Sequence, residues 1–232
     1  MFPIINSFTG AGVIRSSILR AVAMVATAAA ALSAQAQPQH LTGGNEGKRP
    51  IGWKMRADGG GDAHSGKDTL SFAQMTPGFH VTTGPGVILW HPDSSATGSF
   101  AIDGGIFLFP TSGRDEEGYG IFVGGQQLDG PSQRYTYFLL RNDGKFLIKQ
   151  RNGAQMTVLK DWTASPAIKL QKGAEAMQNN FRIVAGAETV AFLVNGTEVA
   201  SLPRAQVAPD GVYGLRFNHA VNAHVVKVAK GK

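Results

Sequence analysis

The sequence predicts an all-β fold, a sandwich or barrel of about a dozen strands. From Leu70 onward, short apolar or alternating runs rich in β-branched and aromatic residues recur at regular spacing, which is typical of sandwiches and barrels. Gly, Asn, Asp and Pro separate these runs, as turns require. Only Ala174–Asn179 and Pro203–Val207 suggest short helical turns.

The predicted strands are short, as strands in sandwiches usually are. Most contain Val, Ile, Phe or Tyr, the residues that pack best on a pleated surface. In chain order they are Gly86–Trp90, Gly105–Phe109, Gly118–Val123, Arg134–Leu140, Lys145–Lys149, Gln155–Leu159, Phe181–Val184, Thr189–Val194, Val212–Phe217 and Ala223–Val228.

Asn or Asp before Gly marks the predicted hairpins, because type I′ turns need a positive φ at both central residues. Asn142-Asp143-Gly144 and Asn152-Gly153 lie between alternating runs, so residues 134–159 predict a three-stranded meander. Asn195-Gly196 predicts another hairpin over residues 189–202. With the threonine that follows, this last pair also matches an N-glycosylation acceptor. Such three-residue matches are common by chance, and we favour the turn.

Residues 1–36 have the pattern of a secretory signal peptide. Arg15 and Arg20 precede the apolar stretch Ala21–Leu32, and small residues up to Ala36 supply a cleavage site. The stretch is shorter than the roughly 20 apolar residues of a transmembrane helix. We therefore expect a secreted or periplasmic protein, cleaved near Ala36.

Beyond this leader, residues 37–69 are Gly-rich and predict an irregular lead-in, with Ile51-Gly52-Trp53 docking onto one domain at residues 70–232. The chain has no cysteine, which excludes disulfides and thiol chemistry. Its formal net charge is +6, but Lys and Arg are scattered, so no nucleic acid partner is expected. No later segment is apolar enough to predict a membrane anchor.

The stretch "FRIVAGAETVAFLVNGTEVASL", followed by "DGVYGLRF", resembles the closing half of concanavalin A-like jelly rolls, where a strand, an Asn-Gly hairpin and a final Gly-containing strand complete the sandwich. "GYGIFVGGQQLDG" and "YTYFLLRNDGKFLIKQRNG" resemble the middle of those domains. Residues 70–229 are similar in layout to exported 3-keto-disaccharide hydrolase-type and laminin-G-like domains. The resemblance implies a two-sheet antiparallel jelly-roll sandwich, and its motifs are structural rather than catalytic.

Arg114–Glu117 (RDEE) is the one cluster of carboxylates in the sequence. A glycosidase needs two carboxyl groups roughly 5–10 Å apart, and Asp115 and Glu117 would share a face if the run were a strand. The ordinary outcome just before a strand is a solvated loop. The laminarinase-like members of the resembled fold carry an E-x-D-x-x-E strand motif, which this sequence lacks. Glu117 and Asp115 are the catalytic candidates if the protein is an enzyme.

Aromatic and polar residues on the predicted strands form the candidate ligand surface. Sugar faces stack on flat aromatic rings while Arg, Asn and His bind the hydroxyl groups, so a groove on the concave sheet would suit an oligosaccharide. The alternative is that these residues only pack half-buried on the strands. The loop at residues 126–133 joins two of the strands and suits recognition. The candidates are Trp90, His91, Tyr119, Tyr135, Tyr137, Arg141, Arg216, Asn218 and His219.

No metal or cofactor is expected. The sequence has no H-x-H or H-E-x-x-H pattern, and the odd spacing of His219 and His224 places them on opposite faces of a strand. His80 and His91 would approach each other across a hairpin as a polar patch. Oxygen ligands that suit Ca²⁺ are present at Asp58, Asp62 and Asp68. Their spacing fits no EF-hand.

Two classes of function stay open. We favour an exported, non-catalytic carbohydrate-binding domain that recognises a saccharide or glycoconjugate on its concave face, since the paired-carboxylate motif is missing. The alternative is a glycoside hydrolase of the 3-keto-disaccharide hydrolase type, in which Asp or Glu and a histidine do the acid–base work. A structural or protein-interaction sandwich would follow if no saccharide binds.

Overall fold

A computed structural model describes residues 49–58 and 70–232, which form two antiparallel sheets of seven strands each. The predicted all-β jelly-roll sandwich is confirmed. The expected signal peptide, most of the Gly-rich lead-in, and Asp62 and Asp68 lie outside the described residues. Within the described ranges, no helix has the length and apolarity that crossing a membrane requires.

Over the described residues the chain crosses several times between the two sheets and forms one short helix. Its elements are β1 (Lys54–Ala57), β2 (Ser71–Gln74), β3 (Phe79–Thr82), β4 (Val87–Ala96), β5 (Phe100–Leu108), β6 (Tyr119–Gln126), β7 (Arg134–Leu140), β8 (Lys145–Asn152), β9 (Gln155–Ala164), β10 (Met177–Ala185), β11 (Thr189–Val194), β12 (Thr197–Pro203), α1 (Arg204–Val207), β13 (Gly211–Phe217) and β14 (Asn222–Lys230).

The first sheet has the strand order β1-β4-β13-β6-β7-β8-β9, and the second has the order β12-β11-β10-β5-β14-β3-β2. Strands distant in sequence are therefore neighbours, as in a jelly roll. The predicted meander over β7, β8 and β9 and the predicted β11–β12 hairpin are both confirmed.

Apolar side chains of both sheets meet in one core between them. Phe138 of β7 is fully buried at its centre, with its ring centroid 5.8 Å from that of Phe181 and 5.4 Å from that of Phe192, both on the second sheet. Phe146 of β8 packs against it at 6.1 Å. These edge-to-face contacts tie the two layers together.

A buried amide connects the core to a surface turn. Asn179 of β10 is fully buried, and its Nδ2 donates to Tyr119 Oη (2.9 Å) and to the carbonyl oxygen of Lys169 (2.8 Å). Its Oδ1 accepts from Lys169 N and from Asn195 Nδ2. Because all these groups are satisfied, the amide can lie in an apolar core without a penalty.

The three predicted turns differ in conformation. Asn195 and Gly196 both have positive φ values, 51° and 86°, which confirms a type I′ pattern. In the β8–β9 hairpin only Gly153 has a positive φ (60°), and Asn152 is still part of β8, so the type I′ prediction is wrong there. At the β7–β8 connection, Gly144 has a φ of 82° and its N–H donates to Arg141 O, which makes a longer turn.

Three further expectations are settled by the strand positions. The stretch expected to be irregular contains β1, which pairs with β4 in the first sheet. Trp53 does dock, with its ring 5.3 Å from that of Phe79, whereas Ile51 is 98% exposed. The helical turn expected at Ala174–Asn179 is wrong because β10 begins at Met177, while the one expected at Pro203–Val207 is confirmed as α1.

We expect Phe138→Ala to lower the free energy of unfolding by about 3–5 kcal/mol, because it leaves a cavity between two sheets that cannot collapse onto it. Urea denaturation measures this change. Val158→Ala, on an edge strand with its side chain half exposed, is the control and should change stability by less than about 1 kcal/mol. A Phe138→Ala loss as small as that of the control would contradict the assignment of Phe138 to the central core.

Candidate functional site

The first sheet carries a second apolar cluster on the face turned away from the second sheet, which we call the outer face. An antiparallel sheet usually presents polar side chains on its outer face, so this cluster departs from the common pattern. We call it the outer cluster. Its buried members are Ile88, Trp90, Phe122, Leu128, Tyr135, Tyr137, Leu139 and Leu147, with Trp162 and Val212 packed against them.

A glycine on β13 makes room for the aromatic rings. A Cβ atom at Gly214 would lie 2.7 Å from the ring of Phe122 and 2.3 Å from the carbonyl oxygen of Leu89. Any side chain there would push Phe122 off the sheet. With glycine, the Phe122 ring packs 5.2 Å from that of Tyr135, which in turn lies 5.7 Å from that of Tyr137.

An ion cluster covers these rings. Both terminal nitrogens of Arg216, on β13, donate to the Asp58 carboxylate, Nη1 at 2.8 Å from Oδ1 and Nη2 to Oδ2. Arg151 of β8 donates to the same Oδ1 at 3.4 Å. The Arg216 guanidinium lies 5.7 Å from the centroid of the Tyr137 ring. One carboxylate therefore holds two guanidinium groups over the aromatic surface.

The charge states of this cluster follow from burial and pairing. Burial alone would raise the pKa of Asp58, but the hydrogen bond from Arg216 and the charges of Arg216, Arg151 and His219 outweigh it, and the net shift is downward. Burial raises the pKa of Tyr137, and the Arg216 charge only partly offsets it. Asp58 is therefore ionised and Tyr137 is neutral.

The loop at residues 127–133 folds back over one end of the outer face. Leu128 packs into the outer cluster, and Asp129 receives Lys54 Nζ on its carboxylate and Arg56 Nη1 on its carbonyl oxygen, both at 3.0 Å. Between this loop, β1 and the β8–β9 turn lies a cleft of about 240 Å³ lined by Arg56 and Arg151. The loop singled out by its polar sequence is therefore part of the outer face.

At the opposite end of the face, Arg141 stacks on Trp162 with its guanidinium carbon 4.4 Å from the ring centroid. Its Nη2 donates to Glu116 at 3.2 Å and to Asp143. The guanidinium is neutralised and nearly buried, so its main effect is to position the Trp162 ring.

The outer face collects five of the predicted ligand residues, namely Trp90, Tyr135, Tyr137, Arg216 and, at its end, Arg141. Tyr119 lies apart from them, in the core between the sheets, because β6 pairs with β7 so that Tyr119 faces Leu140 rather than Tyr137. Its hydroxyl group bonds to Asn179 and is fully buried, so its role is structural.

The remaining predicted ligand residues lie near the edges. His219 is exposed, and its charge acts on Asp58. Asn218 donates its N–H to the carbonyl oxygen of Gly118, which fixes a loop. His91 packs on Gly52, where a Cβ atom would lie 2.5 Å from its Nε2, and its Nδ1 accepts from the N–H of Asp93 at 3.3 Å.

The two catalytic candidates lie in a loop and not on a strand. Asp115 accepts hydrogen bonds from Thr111 Oγ1 (2.6 Å) and Asn142 Nδ2 (2.8 Å), and these two bonds lower its pKa. A general acid needs a raised pKa, so Asp115 does not fit that role. Glu117 is half-buried and donates its backbone N–H to Arg114 O.

The expected approach of His80 to His91 is wrong, because β3 belongs to the second sheet and β4 to the first. His80 instead lies directly opposite His224 of β14. Among residues 49–58 and 70–232, no group of three or more His, Asp or Glu side chains could hold a metal ion. Asp58, one of the suggested Ca²⁺ ligands, is used by Arg216.

Four residues of the outer face were not among the predicted candidates: Arg56, Asp58, Arg151 and Trp162. Arg151 could have been predicted from the sequence, because the expected β7–β8 pairing places it opposite Tyr135. Asp58 could not, because it meets Arg216 across 158 positions of sequence.

No protein-family profile matches the sequence, and no curated protein matches it. Solved structures do match. The carbohydrate binding module CBM66 from Bacillus subtilis is similar with a TM-score of 0.56 and 13% identity, over 78% of this chain and 96% of that module. The exoplasmic/lumenal domain of VIP36 in its Ca²⁺/Man-bound form has a TM-score of 0.53 and 9% identity, over 77% of this chain and 82% of that domain.

A third similar structure is a Bacteroides ovatus GH16 protein of a mixed linkage glucan locus, in complex with a G4G4G3G product. Its TM-score is 0.51 at 9% identity, over 77% of this chain and 94% of that one. With the two seven-stranded sheets, these similarities define the fold of this protein as a concanavalin A-like jelly roll. At such identities they establish the fold alone.

We expect Asp58→Asn to lower the free energy of unfolding by about 2–4 kcal/mol, because it leaves the buried Arg216 without its carboxylate. The stability that the ionised Asp58 supplies should be fully present above its unfolded-state pKa of 3.8. It should be lost as the pH falls through the lower pKa that Asp58 has in the folded protein. Urea denaturation at several pH values measures both effects. The control is Asp129→Asn, which breaks an exposed pair with Lys54 and should cost at most about 1 kcal/mol. Equal losses in the two variants would contradict the central place of Asp58.

A second pH effect follows from His224, which is 1% exposed and has a buried Nδ1 that no described residue bonds. Burial and the neighbouring His80 lower its pKa below 6.5. The unfolded chain therefore binds a proton more readily, and stability should fall as the pH drops below 6.5 towards the folded-state pKa. His224→Gln should flatten this slope in urea denaturation, by at most about 1.4 kcal/mol per pH unit. An unaltered slope in His224→Gln would disprove the assignment.

Proposed function

We propose that this domain is a non-catalytic carbohydrate-binding module that holds a saccharide on the outer face of its first sheet. The observation that carries the proposal is the outer cluster itself. A sandwich needs one core between its sheets, and this protein has a second set of aromatic and apolar side chains beyond that core, with guanidinium groups over it. Rings and fixed hydrogen-bond donors on one face suit a sugar, which has an apolar ring face and polar hydroxyl groups.

The accessible part of this face runs along β8 and β9. Arg151 lies opposite Met156, and Lys149 lies opposite Val158, in cross-strand register. Met156 and Val158 are 40% and 50% exposed. From Arg151 to Leu147 the strip is about 14 Å long at 3.4 Å per residue, and Trp162 lies beside its far end. A chain of several sugar residues fits such a strip better than a single one does.

The carboxylates argue for binding rather than hydrolysis. Asp58 is committed to Arg216 and Arg151, and its lowered pKa leaves it without a proton to donate. Asp115 is bonded within an exposed loop. The two similar structures described as a carbohydrate binding module and as a mannose-bound domain support the binding role. We further propose that the protein acts outside the cytoplasm after loss of residues 1–36.

The test is a glycan microarray, followed by titration calorimetry on the saccharides that bind. We expect Trp162→Ala to weaken binding by about 1 kcal/mol, roughly fivefold, because it removes an aromatic surface from the strip. Phe107→Ala, which removes an aromatic ring from the outer face of the second sheet, should leave affinity unchanged. A microarray on which no saccharide binds would refute the proposed function. Equal losses of affinity in Trp162→Ala and Phe107→Ala would show that the saccharide does not bind on the outer face of the first sheet.

A further inference from the structure

We infer that the saccharide bound by this domain is anionic, and that a carboxylate or sulfate of one sugar residue enters the cleft between Arg56 and Arg151. This inference rests on the proposed function and adds the chemical class of the ligand. It comes from the charges around one end of the outer face.

The lining of the cleft is cationic and contains no acidic residue, although Arg151 reaches the Asp58 carboxylate from it at 3.4 Å. Arg56 and Arg151 supply its charged groups, and the other lining residues are Ala57, Pro131, Gln133, Gly153 and Ala154. Two guanidinium groups that share one cleft repel each other, and a bound anion would relieve that repulsion. A planar carboxylate matches the fork of N–H donors that a guanidinium presents.

Arg56 has donors left for a ligand. Among the described residues, the only hydrogen bond of its side chain goes from Nη1 to the carbonyl oxygen of Asp129, at 3.0 Å. Its Nε is buried and has no partner within the described part of the chain. A guanidinium has five N–H donors, so most of those on Arg56 are unused.

Asp58 does not neutralise this end of the face. Its two oxygens accept both terminal nitrogens of Arg216, and Arg151 reaches Oδ1 only at 3.4 Å. The carboxylate of Asp129 is paired with Lys54. Lys149, two residues from Arg151 and on the same face, forms no ion pair with any described residue. Arg56, Arg151 and Lys149 therefore give the accessible strip a positive excess.

The size of the cleft supports one charged group within a longer ligand. Its volume of about 240 Å³ is below the range of about 300–1,000 Å³ of pockets that enclose drug-sized ligands. The remaining sugar residues would lie along β8 and β9, over Lys149 and Val158. The cleft would then set the register of the chain on the strip.

The experiment compares matched ligands by titration calorimetry, namely oligogalacturonate, its methyl ester and a sulfated galactan oligosaccharide, at low and at high ionic strength. We expect at least one anionic ligand to bind about tenfold or more tightly than the neutral methyl ester, the scale of a charge-assisted hydrogen bond. Added salt should reduce this preference. The galacturonate and galactan arms distinguish a carboxylate from a sulfate.

Arg56→Gln and Arg151→Gln should each remove about tenfold of the affinity for the anionic ligand, and the loss of affinity for the neutral methyl ester should be smaller. Arg56→Lys should recover part of the loss. Lys149 forms no ion pair with a described residue, so Lys149→Gln removes a charge without breaking a pair. This variant should bind the anionic ligand more weakly and with a smaller salt dependence. Lys230→Gln removes the same charge from the second sheet and should have no effect.

A domain that binds neutral glycans as tightly as anionic ones, without salt dependence, would overturn the anionic ligand and leave the proposed function intact. A domain that binds none of the saccharides would overturn both. An anionic preference that survives in Arg56→Gln, Arg151→Gln and Lys149→Gln would place the charged group elsewhere and overturn the cleft assignment.

Discussion

The guanidinium group of Arg216 is buried on the interior strand β13 and needs a carboxylate, and the outer face depends on how Asp58 supplies it. Arg216 is 6% exposed, so an unpaired charge there would be costly. Asp58 stands at the end of β1, an edge strand of four residues that also pairs with β4. The ion pair therefore fixes the end of a short edge strand over the middle of the sheet. Since Arg151 reaches the same carboxylate, the contact also joins β1 to β8 on the other side of the sheet.

The two sheets differ in how they are buried, and this difference sets the outer face of the first sheet apart. β7 is buried at six of its seven positions, whereas β11 alternates between buried and more exposed residues. A strand with one buried face and one solvent-exposed face alternates between buried and exposed residues. A strand that is buried at successive positions must be covered on both faces of its sheet. The first sheet is covered on its outer face by its own aromatic rings, by Arg216 and by Leu128. Such cover is not needed to close the core between the sheets, which argues that the outer face has another purpose.

The fold could be predicted from residues close together in the sequence, such as the turn pairs. The candidate site could not, because it depends on contacts between residues far apart in the sequence. The turn at Asn195-Gly196 was predictable because a positive φ at two adjacent residues selects particular side chains. The face of Tyr119 was not, because it depends on the register between β6 and β7, which is shifted by a bulge between Val123 and Gln126. Tyr135 and Tyr137 reached the expected face because both lie on one strand. The pairing of Asp58 with Arg216 was not predictable, because the two residues lie 158 positions apart in the sequence.

The titratable groups at the centre of the outer face all have their charges fixed near neutral pH. Asp58 has a lowered pKa, and the pKa of Arg216 is raised because its pairing with Asp58 outweighs burial. Burial raises the pKa values of Tyr135 and Tyr137. A general acid or base works best with a pKa close to the operating pH, and each of these shifts leads away from it. Fixed charges and neutral hydroxyl groups instead present an unchanging pattern of donors and acceptors. That constancy is consistent with the proposed binding surface, in which an ion cluster that is costly to bury lies over aromatic rings.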